Sequence, residues 1–162
     1  ADRITTLVDA GHAMCPSTRK SQSGWLMMLA NATFAWGSKT QTVTALSSTE
    51  AEYIALASAC AELCAIINQL KQLPFPELAT GPHLVLEDNQ ACIKMATNPK
   101  GWKRTKHIDV RHHFVRDLVE SDVVQIQHIG TDLQAADLLT KALHGKLFKK
   151  HRAFIMGYDQ SS

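Results

Sequence analysis

Several common features are missing from this sequence, and each absence narrows its class. There is no CxxC pair: the four cysteines are Cys15, Cys60, Cys64 and Cys92. Cys60 and Cys64 sit one helical turn apart inside an apolar run, as core residues of a protein from a reduced, intracellular compartment would. No apolar run approaches the roughly 18 residues that a membrane span needs, and no secretory leader pattern opens the chain, so no membrane partner is expected. Charge of one sign is also scarce. A formal net charge of +2 gives no whole-molecule field strong enough to gather a polyanion, which would have to be held by a local basic patch. Repeats, linkers and low-complexity segments are absent. An initiator methionine is absent too, and a chain opening on Ala1 is expected to be a processed or excised piece of something longer.

What is present describes an ordinary globular protein. The 162 residues, 45% hydrophobic and 20% charged, suffice for one domain with a sizeable core and too few for two comfortable ones. Residues Arg3–Val8 read as a buried strand ending at Asp9, followed by strand-like runs Gly24–Leu29 and Ala32–Trp36 around the short link Ala30-Asn31: a meander of three antiparallel strands. Ser47-Ser48-Thr49-Glu50 fits a capping box in which Glu50 reaches back to Ser47. The helix it opens runs to about Leu70, with Leu56, Ala59, Cys60, Leu63, Ile67 and Leu70 as its apolar stripe. His83–Glu87 is a second apolar strand closing at Asp88, and a short helix follows from about Asn89 to Ala96. Thr105 caps a helix to about Val119 that carries Ile108, Val115 and Leu118 inward. Val123–Ile129 alternates as a strand, and Thr131 with Gln134 forms a second capping box opening a helix through about Leu143. The basic, amphipathic stretch His144–Gly157 reads as a last helix. The order β-β-β-α-β-α-α-β-α predicts an α/β fold, a mixed sheet with helices on its faces.

Of 15 acidic residues, four stand out. Asp9 and Asp88 each close an apolar strand, where open α/β sheets build their sites. Glu52 lies four residues before Leu56, on the buried stripe of its helix, and Asp137 falls on a partly apolar face of the predicted final helix. A carboxylate turned toward a core must be hydrogen-bonded, paired, neutralised or metal-bound. Each could have a private partner, but four converging, with no lysine or arginine evenly matched to them along these elements, point to a shared divalent cation. Oxygen ligands suit Mg2+ or Mn2+. Two such ions about 3.5–4 Å apart can activate a water and stabilise the leaving oxygen of a phosphodiester. The histidines near Asp109 (His107, His112 and His113) lack the i, i+4 spacing of a helical zinc pair. Lys100, Lys103, Arg104, Lys106, Arg111 and Arg116, with Trp102 among them, form the densest basic segment and a candidate phosphate contact. Lys146, Lys149, Lys150 and Arg152 are a second basic group.

The runs LSSTEAEYIAL (Leu46–Leu56), EDNQACI (Glu87–Ile93), RTKHIDVRHHFVRD (Arg104–Asp117) and ADLLTKAL (Ala136–Leu143), with SGWLMMLANATFAWGSKTQ (Ser23–Gln41) upstream, occur in the order in which they closely resemble the ribonuclease H domain of copia-type retrotransposon polyproteins, over about Val8–Gly157. The resemblance implies a ribonuclease H-like fold: a five-stranded mixed sheet, three antiparallel strands then two parallel, flanked by helices. It makes the chain one domain, residues 1–162, with a core of about 3–143 and a helical tail at 144–157. It implies an endonuclease that hydrolyses the RNA strand of an RNA/DNA hybrid with two Mg2+ or Mn2+ ions. Asp9, Glu52, Asp88 and Asp137 are then the metal ligands, with Asp9 bridging. Gln90 is placed to touch the RNA strand and Ser48 and Thr49 its sugar hydroxyls, while Lys103, Arg104 and Lys106 meet phosphates; a 2′-hydroxyl is what separates RNA from DNA. The partners implied are a tethered reverse transcriptase and the hybrid, for an otherwise monomeric domain acting inside the cell, in a cytoplasmic virus-like particle or the nucleus.

Two departures stand against the resemblance. Gly11 and His12 replace the acid and tryptophan common after the first Asp, and the link Gly130-Thr131-Asp132 is too short for the loop histidine of many relatives, leaving only His128 in the neighbouring strand. A catalytically silent nucleic-acid-binding or scaffold domain is the competing function. Integrases and transposases of this fold place their Glu on a late helix, whereas Glu52 comes second here.

Overall fold

The computed structural model describes residues 3–74, 76–98 and 106–158. Five strands form one sheet in the order β3-β2-β1-β4-β5. β1 (Thr5–Gly11), β2 (Gln22–Leu29) and β3 (Ala32–Thr40) pair antiparallel, while β4 (His83–Glu87) and β5 (Val124–His128) join β1 in parallel register. The predicted mixed sheet is therefore the observed one, with three boundaries longer than expected: β1 runs past Asp9 to Gly11, β2 starts at Gln22 ahead of Gly24, and β3 runs past Trp36 to Thr40. Ala30 and Asn31 both have positive φ, 50° and 62°, the backbone that a two-residue hairpin requires to match strand twist.

The helix α1 (Ser48–Leu70) packs on one face of the sheet, and every residue of the predicted stripe from Leu56 to Ile67 is buried. By length and composition this helix would pass for a membrane span, so the expectation that no run is long enough is corrected. Half of that stretch is buried within the protein, where it forms the central layer of the core with Val8, Met27, Val85 and Val115. Its cap differs by one residue from the predicted box. Ser47 Oγ accepts from the Glu50 amide, but the Glu50 carboxylate accepts from the Leu46 amide at 2.8 Å rather than from Ser47. The helices α2 (Gln90–Thr97), capped by Asn89, and α3 (Lys106–Glu120) lie beside it. The predicted Thr105 cap and Ile108 side chain fall outside the described residues. The basic tail forms α4 (Gly145–Ile155).

The predicted helix from Thr131 through Leu143 does not form. Two short 3-10 turns, Thr131–Leu133 and Ala135–Leu139, take its place. The reason lies in Gln134, whose side chain is fully buried. Its amide donates to the Val8 carbonyl at 2.9 Å, and its side-chain oxygen accepts from the Ala136 amide. Spending this side chain on β1 and on the following turn breaks the helical run and pins the turn to the sheet. Gly24 completes the fit: a Cβ there would lie 2.6 Å from Thr140 Cγ2 and 2.8 Å from Leu139 Cβ. Replacing Gln134 by Ala leaves the buried Val8 carbonyl without its side-chain donor and is expected to destabilise the fold by about 1–3 kcal/mol. Urea unfolding checks this, and a change within error of zero would show that the turn holds without the anchor.

Candidate active site

Asp9 lies in the last third of β1, opposite Gly24 on β2, and is 2% exposed. Asp88 follows directly on β4, and Glu52 sits one turn into α1, both where the sequence placed them. The three bring carboxylate oxygens within 4.8 Å of one another, the one such group able to hold a metal ion among the described residues. Glu52 is buried, and its Oε2 has no hydrogen-bond partner among the described residues. Three carboxylates from three elements, two of them buried and one with an oxygen that has no hydrogen-bond partner among the described residues, fit a divalent ion of the Mg2+ or Mn2+ kind.

Asp137 reaches the cluster from the other side. It stands on a 3-10 turn instead of the predicted helix, nearly fully buried, and it is linked to Asp9 through Lys141. The Lys141 ammonium is 2.9 Å from Asp137 Oδ1 and 3.8 Å from Asp9 Oδ2. The Thr140 hydroxyl also donates to Asp9 Oδ2. The expectation that no cation is matched to these acids is thus corrected: Lys141 is, one turn beyond Asp137. Glu87 was also missed. It is fully buried one residue before Asp88; its Oε1 accepts from the Asn89 amide at 3.0 Å, and its Oε2 has no partner among the described residues. Strand alternation carries the signal, since His83, Val85 and Glu87 share the buried face of β4.

The electrostatics follow from crowding. Burial, and then the charges of Glu87, Asp9 and Asp88, push the Glu52 carboxyl up to about 10. Burial raises Asp9 as well; the Thr140 hydrogen bond and the Lys141 charge oppose this, while the Asp137 charge reinforces it. Burial likewise raises Glu87 well above the carboxylate range.

The remaining candidates lie at the rim. Gln90 is exposed at the start of α2, two residues after Asp88; Ser48 is exposed and Thr49 half-buried at the start of α1. Lys103 and Arg104 lie outside the described residues, and Lys106 begins α3. Arg116 pairs with Glu120 at 2.6 Å. His128 is exposed at the end of β5, in register with Glu87. The histidines of α3 do not make a metal site among the described residues. His112 is buried, stacked on Tyr53 with Nε2 2.9 Å from the Met95 carbonyl, while His113 pairs with Asp109 on the surface. Gly11 has a structural reason: a Cβ there would lie 2.7 Å from the Thr140 carbonyl.

This sheet order, with acids at the ends of β1 and β4 and on α1, defines a ribonuclease H-like fold. Solved structures share it. A ribonuclease H1 isolated from compost by a metagenomic approach superposes with a TM-score of 0.65 at 17% identity, covering 86% of this chain and 94% of its own. The ribonuclease H1 of Halobacterium salinarum gives 0.58 at 19%, covering 85% and 94%. A foamy viral protease-reverse transcriptase gives 0.52 at 18%, covering 86% and 88%. In sequence, the chain is 36% identical over 141 residues to the retrovirus-related Pol polyprotein from transposon TNT 1-94 of Nicotiana tabacum, and 34% identical over 129 residues to that from transposon RE1 of Arabidopsis thaliana. These alignments cover 87% and 80% of this chain, which spans about a tenth of the length of either relative. No family profile matches the sequence. The chain thus has a ribonuclease H-like fold and is similar in sequence to a segment of plant retrovirus-related Pol polyproteins from copia-type transposons.

The raised carboxyls fix a pH dependence. A group whose folded pKa exceeds its unfolded value stabilises the fold at low pH, and that contribution is lost as pH rises through the folded pKa. For Glu52 the window runs from the ordinary 4.5 to about 10. In chelator, the melting temperature is therefore expected to fall from pH 5 to pH 9, and Glu52→Gln to flatten that fall. A profile rising with pH and unchanged by the substitution would contradict the assignment.

Proposed function

We propose that this chain is a metal-dependent endonuclease that hydrolyses the RNA strand of an RNA/DNA hybrid. Within a retrotransposon polyprotein it would act tethered to a reverse transcriptase. The observation that carries the reading is the convergence of Asp9, Glu52 and Asp88, with Asp137 joined to Asp9 through Lys141. Among the relatives of this fold, the compost ribonuclease H1 has been solved in complex with an RNA/DNA hybrid.

In this reading Asp9, Glu52 and Asp88 would hold one Mg2+ or Mn2+ ion, and Asp9 with Asp137 would help to hold a second. Divalent ions there would lower the pKa of a water and offset charge building on the phosphate. The protein supplies position. β1 and β4 fix two of the acids on a sheet, α1 brings Glu52 over them, and Gln134 and Thr140 hold the Asp137 turn against β1. Gln90, Ser48 and Thr49 flank the acids at two helix starts, where they can meet an RNA strand and its 2′-hydroxyls. Lys103, Arg104 and Lys106 provide phosphate contacts, which a chain of net charge +2 needs locally.

Purified protein is expected to cut a labelled hybrid only with Mg2+ or Mn2+. Asp9→Asn and Asp88→Asn should each lower the rate by about a hundred- to a thousandfold, with circular dichroism unchanged. Full activity in either variant would remove the role assigned to it. Salt-sensitive hybrid binding without cleavage in any metal would instead identify a silent binding domain.

A further inference from the structure

The acid cluster has two unequal halves that share Asp9. In one, Asp9, Glu52 and Asp88 face each other, and among the described residues no ion pair reaches Glu52 or Asp88. In the other, the Lys141 ammonium lies between Asp9 and Asp137. The acids of that half are nearly fully buried, whereas the Lys141 side chain is 37% exposed. The lysine thus reaches in from the rim with room to swing out. Burial disfavours its charge, but the Asp137 hydrogen bond and the charges of Asp9, Asp137 and Asp88 outweigh this and raise its pKa.

We propose that Lys141 is a tethered counter-ion for the Asp9–Asp137 half. It holds those two carboxylates together while no divalent ion is bound there, and it must be displaced when one enters. The inference rests on the proposed metal-dependent reading and adds a positioning residue that makes the two ion sites unequal. The Asp9–Glu52–Asp88 half fills first because the ammonium sits nearer Asp137 than Asp9 and pairs with neither Glu52 nor Asp88. The other half fills only against the ammonium, since two cations cannot share the space between the same oxygens without strong repulsion.

The test compares the wild type with Lys141→Gln, Lys141→Arg and the double variant Lys141→Gln/Asp137→Asn, by two measurements. The first is Mn2+ titration followed by the paramagnetic resonance of the free ion. Lys141→Gln is expected to tighten the weaker site by about tenfold or more and leave the tighter site unchanged, with Lys141→Arg behaving as the wild type. The second is thermal unfolding in chelator. Lys141→Gln should melt lower, Lys141→Arg should match the wild type, and the double variant should recover by losing one of the opposed charges. A weaker site that is unchanged or loosened in Lys141→Gln, or an unchanged melting temperature in chelator, would overturn the proposal. Should the wild type bind no Mn2+ at all, the metal-dependent reading would fall, while the chelator measurement would still decide whether Lys141 holds the acids together.

Discussion

Mutual repulsion between buried carboxylates is the constraint around which this domain is arranged. Asp9, Glu52, Glu87 and Asp137 are all buried, and Asp88 is half-buried beside them. A cluster of this kind is unfavourable wherever its charges go unanswered. The surroundings answer some of them with the Thr140 hydroxyl, the Asn89 amide and the Lys141 ammonium. Protonation answers others, as the upward shift of Glu52 indicates. Such a site stores a demand for positive charge, and a scaffold must be rigid elsewhere to hold it.

That rigidity comes from two layers of unequal strength. On one side of the sheet α1 buries a continuous apolar stripe and forms the main core. On the other, a smaller cluster of Leu7, Leu26, Met28, Ala135 and Ala136 seats the turn that carries Asp137. The second layer has little apolar area, so close approach and specific bonds replace it: Gly24 lets the turn lie against β2, and Gln134 ties it to β1. Glu52 is thus supported by packing, and Asp137 by hydrogen bonding.

Much of this was legible in the amino-acid order. Alternation and turn signals located the strands, and Ser47 with Glu50 opened α1 at the observed place. Asp9 and Asp88 stood out because each closes an apolar strand, and Glu52 because it falls on the buried stripe of its helix. The turn bearing Asp137 was misread because Thr131 and Gln134 fit a local capping pattern, while Gln134's actual partner is Val8, 126 positions away. Lys141 escaped for a related reason: its importance depends on Asp9, brought alongside only by the folded sheet. Glu87 is visible in the strand alternation, since it shares the buried face of β4 with His83 and Val85, but the neighbouring Asp88 is the more conspicuous acid.

The bond between Gln134 and Val8 also bears on how the protein is made. Synthesis proceeds from the N-terminus, so Asp9, Glu52 and Asp88 leave the ribosome before the segment that secures Asp137 exists. A chain interrupted ahead of that segment would carry an acid centre with one wall missing. The acid centre is therefore completed by a segment translated after every element that carries Asp9, Glu52 and Asp88, so a product cut short of it has only an incomplete centre.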